Sequence, residues 1–343
     1  MNKKLIALAL SAIAAGAASA QTANVTLYGI IDSYVASHRA NGVSTTALNS
    51  GGISGSRWGL RGTESLGGGM NAVFVLENGF GVDTGALGQG GLLFGRQAYV
   101  GLNGGFGSVT VGRQYSPNFY VACNSDDSFG GCLTGWSAVA NMGGFFANTL
   151  RPNNAIIYAT PNMGGFTASG MWSLGEVAGS SSANRTFAGN VQYKNGPIYA
   201  GVGFSDQRLD QLTPATKGSN KQFIVGATYN FGVAYAGLTY IENKSNLGAK
   251  TKPLIASVTV PFGAARIGAQ LAQIKSGSAK ANSYALLGEY DLSKRTELYA
   301  IYSGCKNKGL ACTSDGNNGA ASVALLASNK SSSTFGLGVK HKF

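Results

Sequence analysis

The sequence predicts an all-β chain: a transmembrane antiparallel β-barrel of about 16 strands. Three observations carry this expectation. Apolar and polar side chains alternate along repeated stretches of about ten residues. Short turns and long polar connections alternate strictly between those stretches. Charged residues make up only 12% of the 343, while hydrophobic content is an ordinary 44%. A soluble domain carries about 25% charged residues; a wall with one wet and one dry face averages out to middling hydropathy.

The N-terminus indicates the compartment. Lys3 and Lys4 form a basic start, Leu5 to Ala18 is an apolar run, and Ala18-Ser19-Ala20 is a small-x-small cleavage site. That is the pattern of a secretory signal peptide, residues 1–20, with a single mature domain over 21–343. The apolar run is shorter than the ~20 residues a membrane helix requires, and no later run approaches 18. A helical membrane protein is therefore excluded.

Within the mature chain, Gln222 to Phe231 shows the strand pattern most plainly. Phe223, Val225, Ala227, Tyr229 and Phe231 share one face; Gln222, Ile224, Gly226, Thr228 and Asn230 share the other. Ser283 to Asp291 and Arg185 to Lys194 repeat it. Short turns are expected at 65–69, 103–107, 161–165, 195–197, 230–232, 261–263 and 291–294. Longer connections are expected near 37–52, 83–91, 116–150, 175–184, 207–219, 244–251, 275–281 and 304–332. Placing every long connection at one end is a habit of outer-membrane barrels, not of soluble sandwiches. Tyr193, Tyr229, Phe231 and Tyr290 lie near turn ends, where an interfacial aromatic girdle belongs.

Motifs for chemistry are missing. There is no G-x-S-x-G, no Walker loop, and only two histidines, His38 and His341. An enzyme and a cofactor are not expected. The four cysteines, in an oxidising compartment, favour disulfides. The sequence-local pairs are Cys123–Cys132 and Cys305–Cys312, with free thiols or another pairing as alternatives.

Arginine is more informative. Arg57 and Arg61 share the strand face opposite Trp58 and Leu60. With Trp and Leu in lipid, the arginines face the lumen, since Arg on the lipid face at mid-membrane costs about 2–4 kcal/mol. Arg96 and Arg113 lie on two following strands and Arg151 comes just after the longest connection. Together they suggest a basic wall on one side of a pore. The stretch from Gln114 to Leu150 holds Asp126, Asp127, the Cys123/Cys132 pair, Trp136, Phe145 and Phe146. It is too long and too apolar for a free external loop. Folding into the lumen explains both features and sets carboxylates against the arginines.

Several blocks resemble the general diffusion porins of Gram-negative bacteria, in particular those of β-proteobacteria. They are Val25-Thr26-Leu27-Tyr28-Gly29, Ser56 to Glu64 (SRWGLRGTE), Leu93 to Leu102 (LFGRQAYVGL), Val111-Gly112-Arg113-Gln114-Tyr115 and the ending Lys340-His341-Lys342-Phe343. The resemblance spans the chain, with one departure: Ile30 stands where some relatives place a Lys. It implies a 16-stranded homotrimeric barrel in the outer membrane, with the third external loop folded inward. It further implies partners in outer-membrane lipid and lipopolysaccharide, in the barrel-assembly machinery, and in small hydrophilic solutes and inorganic ions. By position Arg57, Arg61, Arg96 and Arg151 match the family's basic cluster, Asp126 and Asp127 fall in the acidic part of the loop, and Phe343 matches the assembly signal. Many such porins prefer anions. Removing Lys3 and Lys4 lowers the net charge from +12 to +10, which agrees with that preference.

Other functions fit less well. A substrate-specific sugar channel resembles an 18-stranded barrel with an aromatic slide. An outer-membrane enzyme needs a Ser/His pair. A nucleic-acid binder needs a basic surface cluster, not arginines on strand faces behind a signal peptide. An adhesive barrel needs no inward loop.

Overall fold

The computed structural model describes residues 24–40, 42–126, 150–209, 218–246, 248, 250–310, 312 and 329–343. The expected signal peptide lies outside them. Among these residues seventeen strands form one antiparallel sheet. In chain order they are β1 (Asn24–Ala40), β2 (Val43–Ser50), β3 (Arg57–Gly67), β4 (Met70–Gly79), β5 (Gln97–Gly104) and β6 (Gly107–Arg113). A short helix, α1 (Pro117–Asn124), precedes β7 (Ala155–Ala159), β8 (Phe166–Ser173), β9 (Thr186–Asn195), β10 (Ile198–Arg208) and β11 (Ser219–Asn230). The sheet continues with β12 (Tyr235–Ser245), β13 (Lys252–Phe262), β14 (Ala265–Ser276), β15 (Ala279–Asp291), β16 (Thr296–Lys308) and β17 (Ser331–Lys342).

Closure comes from β1 and β17, which pair from Ile30↔Lys342 to Ala40↔Ser332. A closed ladder satisfies the backbone in lipid, where an open edge cannot persist. Strand β1 pairs with β2 over Ser33–Ala40 and with β3 over Asn24–Ile30. β2 and β3 are therefore one stave of the wall, interrupted at residues 51–56, and the seventeen strands make a 16-stave barrel. The last residue completes the seam: Gly29 and Phe343 exchange backbone hydrogen bonds of 3.0 and 3.1 Å. The Phe343 ring lies over Gly29, where any Cβ would overlap it.

All seven expected short turns fall between consecutive strands at one end. The long connections differ in three places. Residues 37–52 are largely a hairpin, because β1 continues to Ala40 and β2 begins at Val43. Residues 275–281 are a tight turn between β14 and β15, and β16 runs to Lys308. In each case polar strand residues rise beyond the lipid band, so their polarity imitates a loop.

The two faces follow the alternation. On β11, Phe223, Val225 and Tyr229 are exposed on the outside, while Gln222 and Ile224 are buried inside. Outward lysines (Lys221, Lys275, Lys280 and Lys306) sit at the loop ends of their strands, beyond the apolar band. At the turn end the outward band finishes in Phe166 packed on Tyr193, and Tyr229 on Phe231, each at 4.6 Å between ring centroids. Amphipathic rings suit the membrane–water interface. The inside wall is mainly polar, with an apolar patch of Ile224, Ile241 and Ile255 on β11–β13 against which Val121 and Ala122 of α1 pack.

Candidate functional site

Register carries Arg57 and Arg61 inward. Arg57 lies opposite Ile30, and Arg61 opposite Thr26 and Val75, in the row that contains Tyr28 and Gly59. Trp58 and Leu60 take the outward row with Gly29 and Leu27. On β4, Glu77 stands opposite Gly59 and so also faces the lumen.

Glu77 is the hub of the site. Its Oε1 accepts from Arg96 Nε at 2.7 Å and its Oε2 accepts from the Tyr28 hydroxyl at 2.9 Å. Both side chains of the Glu77–Arg96 pair are buried, at 5% and 7% exposure. Arg96 also donates to the Tyr115 hydroxyl at 2.7 Å, and Arg151 donates to the same oxygen at 2.6 Å. The Arg151 guanidinium lies 4.4 Å from the Tyr115 ring centroid, and the Phe119 ring stacks on Tyr115 at 3.9 Å. Arg57 donates through Nε to the Gly55 carbonyl at 2.8 Å and lies within electrostatic reach of Arg96, Arg151, Tyr115 and Glu77. Three guanidiniums thus gather around one carboxylate. Arg61 stands beside them, 5.3 Å from the Tyr28 ring centroid.

Burial pulls the Arg151 guanidinium below its ordinary pKa, and the adjoining Tyr115 works in the opposite sense. Burial pushes the Tyr120 phenol up, so it remains a neutral hydroxyl. Tyr99, Tyr115 and Tyr120 line a cavity of ≈ 260 Å³ beside α1, with Thr110, Ile157 and Gln192.

Arg113 is placed differently from the other arginines. Val109, Val111 and Arg113 share the outward row of β6, and Arg113 lies opposite Ala98 at the loop end. Its guanidinium ties loops together, donating to Gly95 O, Arg151 O and Asn153 Oδ1 at 2.7 Å each. The alternation Val109-x-Val111-x-Arg113 marks that outward row in the sequence itself.

From Gln114 the chain turns along the inner wall. Asn190 on β9 donates to Pro117 O at 2.7 Å, and Asn118 donates to Ser205 on β10 and Gln222 on β11 at 3.3 and 3.0 Å. Ser125 Oγ meets Thr239 Oγ1 on β12 at 2.6 Å. Asp126, buried, accepts from Gln270 Nε2 on β14 at 2.6 Å. Glycines make room for this path: a Cβ at Gly203, Gly226 or Gly237 would overlap Asn118 or Ser125. Asp127 lies outside the described residues.

Cys305 and Cys312 form a disulfide, linking the lumen face of β16 to the connection that follows. Cys123, buried in α1, is also disulfide-bonded; Cys132 lies outside the described residues.

Two groups of charges escape a reading of the sequence alone. Glu77 follows Val73-Phe74-Val75-Leu76, which is apolar on both faces and hides the period of two. At the turn end, Arg266 pairs with Glu289, Asp291 and Glu297 at 3.1, 2.8 and 3.3 Å, and Lys340 pairs with Glu297. Their strand parity is readable, but their convergence needs the register of β14–β17.

Comparison with known proteins agrees with this architecture. The model of the Gram-negative porin family matches residues 7–310. Over the full length of both chains, the sequence is 36% identical to outer membrane porin protein 32 of Delftia acidovorans. It is 31% identical, again over the whole of both chains, to an outer membrane porin protein of Bordetella pertussis. The anion-selective porin from Comamonas acidovorans superposes with a TM-score of 0.79 at 32% identity, covering 94% of this chain and 100% of that one. The trimer form of OmpT from Vibrio cholerae shares the fold, with a TM-score of 0.70 at 16% identity over 94% and 100% of the two chains. A closed barrel with an ionic lumen, matched in sequence from end to end, belongs to the Gram-negative porin family, and the chain is an outer-membrane channel protein.

Proposed function

We propose that the barrel is a water-filled channel for passive diffusion of small hydrophilic solutes and inorganic ions, weakly favouring anions. The observation that carries this reading is a local excess of positive charge on the lumen wall: Arg96 pairs with Glu77, Arg57 and Arg151 lie within electrostatic reach of that same carboxylate, and Arg61 adjoins. A ring of arginines favours anions in a pore. Similarity to the anion-selective porin from Comamonas acidovorans supports the same preference. The acidic partner of the basic wall is Asp126, held against β14 on the far side of the barrel from β4. Together they narrow the pore and set a field across it. In this reading three barrels associate as a trimer in lipid and lipopolysaccharide, and Phe343 is the residue offered to the assembly machinery.

Replacing Arg57, Arg61 and Arg96 together with Ser tests the basic wall. The reversal potential in a KCl gradient should move toward cation preference in trimers that still show heat-modifiable migration. An unmoved potential removes the wall as the source of selectivity.

A further inference from the structure

The interruption at residues 51–56 has no counterpart elsewhere in the described wall, and one side chain holds it. Asp32 Oδ1 accepts from Gly52 N at 3.0 Å, and Oδ2 accepts from Ile53 N at 2.9 Å and Ser54 N at 2.6 Å. The Asp32 backbone takes Gly51 N at 2.7 Å and exchanges hydrogen bonds with Ser56 Oγ at 3.1 Å. Five of the six residues, Gly51, Gly52, Ile53, Ser54 and Ser56, are tied to this one aspartate. From β16, one strand beyond the seam, the Tyr299 hydroxyl donates to Oδ1 at 2.6 Å and fixes the carboxylate from behind. Gly52 passes so close that a Cβ there would overlap that hydroxyl. Successive backbone N–H groups turned toward one point make an anion nest, and an ionised carboxylate fills it with charge-assisted bonds. Gly55, whose N–H is not drawn into this nest, presents its carbonyl to Arg57 Nε at 2.8 Å.

We propose that Asp32 is a positioning residue for ion preference: by filling the nest of residues 51–56 it fixes the Gly55 carbonyl that aims the Arg57 guanidinium into the pore. The inference rests on the reading that Arg57 contributes to anion preference. It makes a prediction of unusual sign. Removing a negative charge from the lumen wall should, by its field alone, raise anion preference. Unmooring Arg57 lowers it.

The test compares Asp32→Asn, Tyr299→Phe, Arg57→Ser and the double variant Asp32→Asn/Arg57→Ser, each assembled as the full chain in planar bilayers under a KCl gradient. An Asn offers one acceptor oxygen and turns two N–H donors toward a nest of donors, so it does not substitute. Asp32→Asn should lower the chloride-over-potassium permeability ratio about two-fold, as withdrawing one charge by a few ångström in a water-filled pore does. It should have no such effect once Arg57 is Ser. Tyr299→Phe changes no charge and should lower the ratio in the same direction. If Arg57→Ser lowers the ratio while Asp32→Asn raises it or leaves it alone, the positioning role is overturned and the basic wall stands. If Arg57→Ser itself changes nothing, the wall is overturned and the positioning role with it. Should Asp32→Asn fail to assemble, Tyr299→Phe decides by the same criterion: a ratio that does not fall overturns the proposal.

Discussion

Replacing Glu77 with Gln isolates the only carboxylate that meets the clustered arginines among the described residues. Gln keeps the shape and leaves an acceptor for Arg96 Nε, and the Tyr28 hydroxyl can turn to accept from the new amide. What changes is one charge among the clustered arginines. An ion passing at about 6 Å feels that charge by about 0.7 kcal/mol in a water-like dielectric. Screening over a Debye length of about 10 Å at 0.1 M salt reduces it to about 0.4 kcal/mol. That is a factor of about two for each ion, given tenfold per 1.4 kcal/mol. Chloride gains while potassium loses, so the permeability ratio should rise about four-fold. The assay is the reversal potential of single channels in a KCl gradient, repeated near 1 M salt, where a Debye length of about 3 Å should erase most of the difference. Breaking a buried ion pair costs about 3–5 kcal/mol when it leaves a charge without a partner. Arg96 retains Tyr115, so the closed ladder should still assemble, which gel migration checks. An assembled Glu77→Gln channel with an unchanged or lower chloride ratio would refute the reasoning.

Gly226→Leu places a side chain where Ser125 lies, and the hydrogen-bonded wall cannot yield, so α1 moves toward the axis; single-channel conductance should fall, and equal conductance would count against α1 flanking the open path. Reducing Cys305–Cys312, or replacing both residues with Ser, removes at most about 3 kcal/mol of loop closure; heat-modifiable migration should be unchanged, because β16 is paired on both sides without it. Phe343→Ala keeps both backbone bonds to Gly29 but loses the ring over it; assembly in the outer membrane should fall while refolding in detergent persists, and equal loss in both would assign Phe343 to barrel stability alone.

Much of the wall is legible in the sequence because the pleat has a period of two residues and lipid enforces it on the outer face. Phe223-x-Val225-x-Ala227-x-Tyr229 and Tyr284-x-Leu286 can be assigned without any contact being known. The same rule turns Arg57 and Arg61 inward, because Trp58 and Leu60 between them need the lipid. Where both faces are apolar, as at Val73 to Leu76, the rule is silent, and Glu77 stays hidden. For Arg113 the alternation with Val109 and Val111 is readable, but its bonds to the Gly95 and Arg151 carbonyls at the loop end are not. The nest around Asp32 is not legible at all. It depends on a break in one stave, and on Tyr299, 267 residues away, reaching across the seam. Composition misleads at residues 37–52 and 275–281, where strands continue past the membrane into water and become polar without ceasing to be strands.

The most direct measurement is the ion preference of the unmodified channel. The purified, assembled channel in a planar bilayer, bathed by unequal KCl on the two sides, should open to a stable ohmic conductance with a reversal potential on the chloride side of zero. Substituting a large organic anion for chloride should then reduce the current more than substituting a large organic cation for potassium. A reversal potential at zero or on the potassium side, from a correctly assembled channel, would contradict an arginine cluster that governs the pore.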